Sequence, residues 1–531
     1  MGLGSLSRYL AIPLLLALAA AAAWWPPARW TLYVTGPLLA LTLWDFFQHR
    51  HCLRRNYPLI ARFRWLMMDL RPFLRSYIIE SDLEGRPFSH DARGLVYARS
   101  KGSLDVHPFG TEFDVYSDEY EWLAHSIAPN TVEEDADWRV PVGGNQCSKP
   151  YSAALLNISA MSFGSLSSHA ILALNKGAKM GGFYHDTGEG GLSRHHRTHG
   201  GDLVWELGSG YFGCRDANGR FDPARFAETA QLEQVKMIEI KLSQGAKPGH
   251  GGVLPGVKVT EEIAEARGVP VGQDCVSPAA HSAFSTPVEL LEWAASLREL
   301  AGSKPVGIKL CVGQPHELFA VMKAMLETGI RLDFITVDGG EGGTGAAPQE
   351  FSDRIGMPLR EGLIFVRNAL VGCSLKREIK VAAAGKVHSG AGMAFNIALG
   401  ADWCNAARAF MFSLGCVQSM KCHTDTCPTG VATQDPGRQR GLVVDDKAER
   451  VARFQRSTLK SFHEMVAAMG LEDPWQIKPK DIRERLNHAR SDPMDKVYSF
   501  LEDGALLGDP DATAYARHWR AAQAESFRAM A

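Results

Sequence analysis

The sequence predicts an α/β fold in which eight parallel strands alternate with helices and close into a (β/α)8 TIM barrel. Three observations carry this. From about residue 151 onward a short apolar run, a glycine-rich or polar loop and a helix-like stretch recur. The runs are continuously apolar, as strands covered on both faces require. Glycines and charged residues gather just after the runs, where a barrel keeps its functional loops. An open, doubly wound sheet fits the same alternation; the count of eight favours closure.

The predicted strands are Leu155–Met161, Phe183–His185, Met237–Leu242, Val269–Asp274, Val306–Val312, Phe334–Val337, Ile379–Ala384 and Ala401–Asn405. The second is short and polar at its end. Helices are expected over Ser168–Met180, Pro223–Gln234, Pro287–Leu300, His316–Glu327 and Ala391–Leu399.

Ahead of the barrel the chain changes character. Tyr9 to Trp25 is a run of 17 residues without a charge, Pro26-Pro27-Ala28-Arg29 breaks it, and Trp30 to Trp44 is a second uncharged run, of 15. Each is near the lower limit for crossing a bilayer core. Trp24, Trp25, Trp30 and Trp44 stand at the run ends, where interfacial aromatics belong. Arg50, Arg54, Arg55, Arg62, Arg64, Arg71 and Arg75 follow, which by the positive-inside rule places this side in the cytoplasm. Residues 1–48 are therefore expected to form a transmembrane helical hairpin in the inner (cytoplasmic) membrane, with the lipid bilayer as a partner and the catalytic domain facing the cytoplasm. A cleaved signal peptide ending near Ala21-Ala22-Ala23 is the alternative; the second apolar run argues against it. Residues 49–150 read as a juxtamembrane and wrapping region, with a basic amphipathic helical stretch from Arg54 to Ile79 and irregular chain from Ser81 to Asn145. Residues 151–480 hold the barrel, and 481–531 a C-terminal helical tail.

Bulk properties exclude some classes. A net charge of −2 gives no overall field for nucleic acid. Ten cysteines spread over 531 residues do not make a secreted disulfide framework, so reduced thiols are expected.

The loops carry the chemistry. Asp338–Gly345 and Gly385 follow late strands, where barrels most often hold a phosphate, and glycine lets backbone N–H groups approach an anion. A phosphate-bearing cofactor is expected there; tight turns are the plainer alternative. Lys309 lies inside the apolar run Val306-Gly307-Ile308-Lys309-Leu310, which is costly unless it meets an anion. The N1–C2=O edge of a reduced flavin is one such anion, and a structural carboxylate is the other. Lys241 and Lys247 raise the same question. Glu189, flanked by glycines, has little to bury it and reads either as a functional acid or as a solvated one. Arg194-His195-His196-Arg197 reads as a solvated face.

Near the end lie Cys416, Cys422 and Cys427, spaced C-x5-C-x4-C and closing on Cys-Pro. Three thiolates on one short loop suit a [3Fe-4S] cluster better than zinc, which normally takes four closed ligands. Three buried free cysteines are the competing reading.

Taken in order, Met161-Ser162-Phe163-Gly164-Ser165-Leu166-Ser167, Thr187–Gly191, Gln244-Gly245-Ala246-Lys247-Pro248-Gly249 with Leu254-Pro255-Gly256, Gly342-Gly343-Thr344-Gly345-Ala346, and Gly415–Pro428 running into Gly430–Gln434 resemble the synthase half of glutamate synthase. The likeness covers roughly residues 150 to 470, and the whole chain resembles the membrane-anchored FMN-binding glutamate synthase family proteins. It implies a TIM barrel carrying FMN beside a [3Fe-4S] cluster. Met161 and Ser162 would lie against the flavin, Lys241 and Gln244 near its ring, and Lys309 at its reducible edge. Gly339, Gly340, Gly342, Gly343, Thr344 and Gly385 would hold the phosphate, and Cys416, Cys422 and Cys427 the cluster. Glu189 and Lys247 would line the substrate pocket, making Lys309, Glu189 and Lys247 the implied catalytic group. The implied reaction is reductive amination of 2-oxoglutarate with ammonia to L-glutamate.

The chain departs from that pattern in places. It has no room for a glutaminase domain and no second dinucleotide-binding domain, so free or partner-supplied ammonia and a separate electron donor (ferredoxin or an NAD(P)H-dependent reductase subunit) are expected. Ser277-Pro278-Ala279-Ala280-His281-Ser282 stands where the family often has a His-His pair. Cys311-Val312-Gly313-Gln314-Pro315 replaces an acidic stretch, and His250 stands where glutamate is common. These changes border the substrate side and leave the oxo-acid open. An amine chemistry of the N-methylglutamate synthase kind, or a membrane-bound flavin and iron–sulfur electron-transfer subunit, are the alternatives.

Overall fold

The computed structural model describes residues 3–131 and 136–530. It divides into two units, one ending at His90 and the other starting at Asp91.

In the first unit, α1 (Leu3–Trp24) and α2 (Leu32–Phe47) form the expected hairpin around a 3-10 turn over Pro26–Thr31. The prolines lack N–H donors, which suits the start of that turn. The spanning expectation is not met. With 16 residues α2 rises about 24 Å, against a hydrocarbon core of about 30 Å. Among the described residues no helix is long and apolar enough to cross a membrane. A polar clamp sits at the end of α2. Asp45, fully buried, takes both Nε (2.8 Å) and Nη2 (2.7 Å) of Arg62, and the Leu59 N–H at 3.2 Å. The basic stretch is helical as expected, in α3 (Ile60–Leu74) and the π-turn Arg75–Ile79. Arg62 is committed to Asp45 and Arg75 to Glu80, 2.6 Å away.

In the second unit eight parallel strands close a barrel: β1 (Leu156–Ile158), β2 (His185–Asp186), β3 (Leu203–Leu207), β4 (Val235–Lys241), β5 (Val306–Leu310), β6 (Phe334–Asp338), β7 (Lys380–Ala384) and β8 (Trp403–Ala406). Cys404 registers with Leu156 and shuts the ring. The helices used below are α4 (Ser168–Gly181), α5 (Pro287–Leu300), α6 (Pro315–Thr328), α7 (Leu359–Gly372), α8 (Gly390–Ala398), α9 (Arg408–Leu414) and α10 (Val444–Ala468). Several start on a side chain that satisfies free N–H groups: Ser167 accepts from Ala170, and Thr286 with Glu289 makes a reciprocal box at α5.

Three expectations need correction. Val269–Asp274 is not a barrel strand. Pro270 and Gly272 interrupt it, most of its residues are exposed, and it leads into a two-stranded pair, Val253–Leu254 with Cys275–Val276, outside the ring. The missing strand is Leu203-Val204-Trp205-Glu206-Leu207, buried throughout. Its glutamate breaks the apolar run that marks the other strands. Met237–Leu242 is therefore part of the fourth strand, not the third. Over 81–131 and 136–145 the chain is less irregular than expected, with a helix over His90–Lys101 and strands at Glu121–Leu123 and Arg139–Val142; the rest of the Ser81–Asn145 stretch lies outside the described residues. Arg194–Arg197 is a short helix in which His195 and His196 are buried, not a solvated face.

The long α10 packs along α4, and Gly177 sets their distance. A Cβ there would stand 2.5 Å from Val451 Cγ1 and 2.8 Å from the Ala448 carbonyl oxygen. Gly177→Ala is expected to cost about 1–3 kcal/mol through overpacking, read as a lower urea midpoint with unchanged slope.

Candidate active site

Adjacent parallel strands in register point their side chains the same way, and the barrel uses this to gather charge. Glu206 on β3 registers with Glu239 on β4, and Lys241 on β4 with Lys309 on β5. All four are buried. Lys309 Nζ donates to Glu206 and lies 3.8 Å from Glu239 Oε2. Lys241 Nζ lies 2.7 Å from Glu189 Oε2 and 3.9 Å from Glu206 Oε1. Thr336 Oγ1 on β6 donates to Glu239 Oε1 at 2.9 Å. One buried ionic line thus runs from the loop after β2 across the barrel interior. The structure gives Lys309 carboxylate partners, the alternative its sequence setting left open.

The cup holds more acids than cations. Asp186, Glu206 and Glu239 offer oxygens within 4.8 Å of one another, and Lys309 serves this group. Burial, then the neighbouring Glu239 and Glu206, push Asp186 well above the usual carboxylate range. Burial outweighs the pull of Lys309 and, with Glu206, raises Glu239 to about 7. Burial also raises Asp338. Lys309 is raised: burial opposes its charge, but Glu206, Glu239 and Asp186 more than restore it. Glu189 goes the other way. Burial would raise it, yet Lys241, Arg267 and Lys247 bring it down to about 2.

A carboxyl held above its unfolded pKa stabilises the fold fully below the unfolded value, and stops doing so as pH rises through the folded value. The contribution of Glu239 is therefore complete below its ordinary 4.5 and lost by about 7. Glu239→Gln is expected to shrink the fall in Tm between about pH 5 and about pH 8. Thermal melts at both pH values check this.

Around the cup the loops touch through backbone. Gly188 fits against Met161 and Ser162, where a Cβ would stand 2.7 Å from the Ser162 nitrogen. Ser162 Oγ accepts from Arg267 at 3.3 Å. Glu189 is far from solvated. Gly252 and Gly208 press on its carboxylate, and Ser277 Oγ donates to it at 3.2 Å. Gln244 begins the loop in which the Gly245 N–H donates to Asp338 at 2.8 Å and Lys247 donates to the Ala346 carbonyl at 2.8 Å. Burial lowers Lys247. His281, lone where a pair was the comparison, sets its Nε2 2.9 Å from the Lys241 carbonyl oxygen.

The glycine loop is less open than its sequence implies. The N–H of Gly339 goes to Ala384, that of Gly340 to Met357 and that of Gly342 to Gly339, each at 2.8 Å. What remains of the phosphate cradle is Gly343 and Thr344, with Gly385 against Leu359 at the start of α7. Arg408 at the start of α9 joins them: a Cβ on Gly343 would stand 2.7 Å from its Nε. Glu341 shares the corner: its main-chain carbonyl accepts from Arg408 Nη2 at 2.7 Å and its carboxylate from the Leu359 N–H at 3.0 Å, so a phosphate here would meet a guanidinium with a carboxylate beside it. Sequence reasoning missed Arg408, as it missed Glu206, Glu239 and Asp186.

The cysteine loop follows α9. Cys427 is buried, and Cys416 and Cys422 are partly so. Burial, then the mutual proximity of the thiols, raises Cys416 to about 12. Gln418, Met420 and Asp425 adopt left-handed backbone, an uncommon conformation for these residue types that bends the loop around its thiols. Gln434 Nε2 donates to the Gly164 and Leu166 carbonyls at 3.0 Å, fastening this segment to the loop after β1. Among the described residues, the acidic or thiol groups that converge within 4.8 Å are those of Asp186, Glu206 and Glu239.

A closed parallel barrel with a buried charged cup at the carboxyl ends of its strands defines a (β/α)8-barrel enzyme. Residues 116–472 match the conserved region in glutamate synthase, and the chain belongs to the glutamate synthase family. It is 37% identical over 470 residues to the glutamate synthase large subunit-like protein YerD of Bacillus subtilis, spanning 81% of this chain and 89% of that one. It is 33% identical over 385 residues to an archaeal-type glutamate synthase [NADPH] of Thermotoga neapolitana, 72% of each chain. With the archaeal glutamate synthase [NADPH] of Methanocaldococcus jannaschii the identity is 35% over 59% of this chain and 58% of that one. Among solved structures, a flavocytochrome b2 variant with sulfite bound is similar at a TM-score of 0.40 and 12% identity, covering 81% of this chain and 87% of that one.

Proposed function

We propose that this chain is a glutamate synthase-like oxidoreductase that aminates 2-oxoglutarate or a related oxo-acid to L-glutamate, using FMN and a [3Fe-4S] cluster. The observation that carries this reading is the Glu189–Lys241 pair, 2.7 Å apart and joined through Glu206 to Lys309 at the mouth of the barrel. Lys241 and Lys247 offer cations to a dicarboxylate. Glu189, ionised at neutral pH, offers an anion to ammonium. Lys309 supplies a cation held permanently protonated by its carboxylates. Gly343, Thr344, Gly385 and Arg408 would hold the FMN phosphate, with Met161, Ser162 and Gln244 around its ring. Bound there, FMN supplies hydride chemistry. The balanced conversion takes up two electrons and two protons per oxo-acid and ammonium and releases water. Glu239, raised to about 7, is a group in the cup that can exchange a proton near neutrality. The electrons come from a separate donor, a ferredoxin or an NAD(P)H-dependent reductase subunit.

Anaerobic protein reduced with dithionite should form L-glutamate from 2-oxoglutarate and ammonium. Protein with both cofactors that forms none sinks the substrate assignment. Methylamine in place of ammonium tests the N-methylglutamate alternative in the same vessel.

The first unit is proposed to meet the cytoplasmic face of a membrane. Trp24, Trp25, Trp30, Tyr33, Trp44 and Phe47 are all exposed on the hairpin, and arginines follow. Exposed aromatics and cations suit a headgroup layer containing anionic lipid. The full chain should float with phosphatidylglycerol-containing vesicles, and protein starting at Asp91 should stay in the dense fraction; equal distributions would dismiss the assignment.

A further inference from the structure

Lys258 takes no part in the cup, yet it is 1% exposed. It sits on a 3-10 turn over Gly256–Lys258. Its Nζ donates to three main-chain carbonyls: Ser165 at 2.6 Å, Cys422 at 3.2 Å and Ala432 at 3.3 Å. Ser165 belongs to the loop after β1 that begins with Met161 and Ser162. Cys422 is the middle cysteine of the loop. The glycine loop reaches the same point, since a Cβ on Gly345 would stand 3.3 Å from Ser165 Oγ and 3.9 Å from Cys422 Cβ. One ammonium therefore joins the loop on the proposed flavin side to the loop bearing the thiols.

Burying an ammonium against neutral carbonyls alone is costly. The charged and titratable groups around it are Asp425, Arg267 and the thiols of Cys422 and Cys427. Three thiolates around an iron–sulfur core leave a net negative site that gains one more negative charge on one-electron reduction. A fixed cation beside it favours the reduced form, because net charge and surroundings set such potentials.

We propose that Lys258 is a positioning residue that ties the flavin-side loop to the cysteine loop and, through its charge, holds the cluster at a potential from which it is readily reduced. This rests on the iron–sulfur reading above.

The test compares wild type with Lys258→Gln, Lys258→Met and Lys258→Arg, purified anaerobically. Iron and sulfide are counted, and the cluster is titrated with dithionite under EPR. Wild type without iron and sulfide removes the cluster reading itself. With the cluster present, Gln and Met are expected to shift the oxidised-to-reduced ratio at fixed potential at least tenfold toward oxidised, about 59 mV for a one-electron couple. Arg should stay near wild type. Gln or Met variants with full iron and an unshifted potential overturn the proposal. If Gln and Met lose their iron, retention in Arg supports the need for charge, and loss in all three overturns it.

Discussion

Lys309→Met is expected to abolish turnover and to destabilise the barrel at the same time. The substitution leaves chain volume nearly unchanged, so its effect is the loss of one buried charge. Glu206 and Glu239 would then lie within the barrel with no cation between them, and Lys241 is already 2.7 Å from Glu189. Removing one partner of a buried pair typically costs about 3–5 kcal/mol. The protein should partly escape this by protonating Glu239, already raised to about 7. That escape sets the sign of the pH effect. A carboxyl that binds its proton more tightly when folded stabilises at low pH and ceases to as pH rises. The Tm deficit of Lys309→Met against wild type should therefore widen from about pH 5 to about pH 8. Catalysis should fall by about 100-fold or more, the usual scale for losing one preorganised electrostatic group. A variant with wild-type glutamate formation, or a deficit that narrows with pH, would contradict this account of the cup.

The same residue shows what could be read beforehand. A lysine in the middle of Val306–Leu310 announced a buried anion, since no apolar strand accepts an ammonium without one. It did not say which anion. Glu206 answers it from another strand, and Glu206 also hid that strand by breaking its apolar run. Both facts have one cause: a barrel whose interior is polar on one layer does not show eight clean apolar runs. Val269–Asp274 failed for the opposite reason, being apolar enough in patches but carrying Pro270 and Gly272 on an exposed loop. Glu189 looked too bare to be buried, because the backbones that bury it, Gly252 and Gly208, lie far away in sequence. Arg408 and Lys258 gave no local sign, and their partners are carbonyls and glycines brought in by the closed ring. Seven of the eight strands and most helices were legible because their signals are local in the chain. The charge partners were not, because pairing across a barrel is a property of register.

The hairpin gives a parallel lesson. Run length alone suggested two spans, and the helices did form where the runs lie. Asp45 sits just past the second run, in the last turn of the 16-residue α2, where its carboxylate takes two donors of Arg62. A buried carboxylate held by a half-buried guanidinium would be expensive in hydrocarbon.

Gly245→Ala should be the most damaging small change in the loops. The Gly245 N–H donates to Asp338 at 2.8 Å, which fixes the residue against the end of β6. A Cβ there would run into the Gly339 carbonyl, and would also stand 3.3 Å from the Gly342 nitrogen. Neither is the end of a flexible side chain, so relief requires moving main chain. The Gly339 N–H is bonded to Ala384 and its carbonyl to Gly342. Moving it pulls on β7 and on the loop leading to Gly343 and Thr344. A single methyl should therefore open the proposed phosphate corner without touching any charged residue. The expected result is a flavin content reduced at least about tenfold, equivalent to about 1.4 kcal/mol of lost binding, and a stability loss of about 1–3 kcal/mol from overpacking. Gly313→Ala is the matched control, since a Cβ there meets nothing within 4 Å and its backbone carries no left-handed constraint. It should keep flavin and Tm. Flavin released on denaturation, measured per folded chain for both variants, separates a packed loop junction from an ordinary turn. Equal flavin in the two would show that the loops after β4 and β6 do not depend on each other.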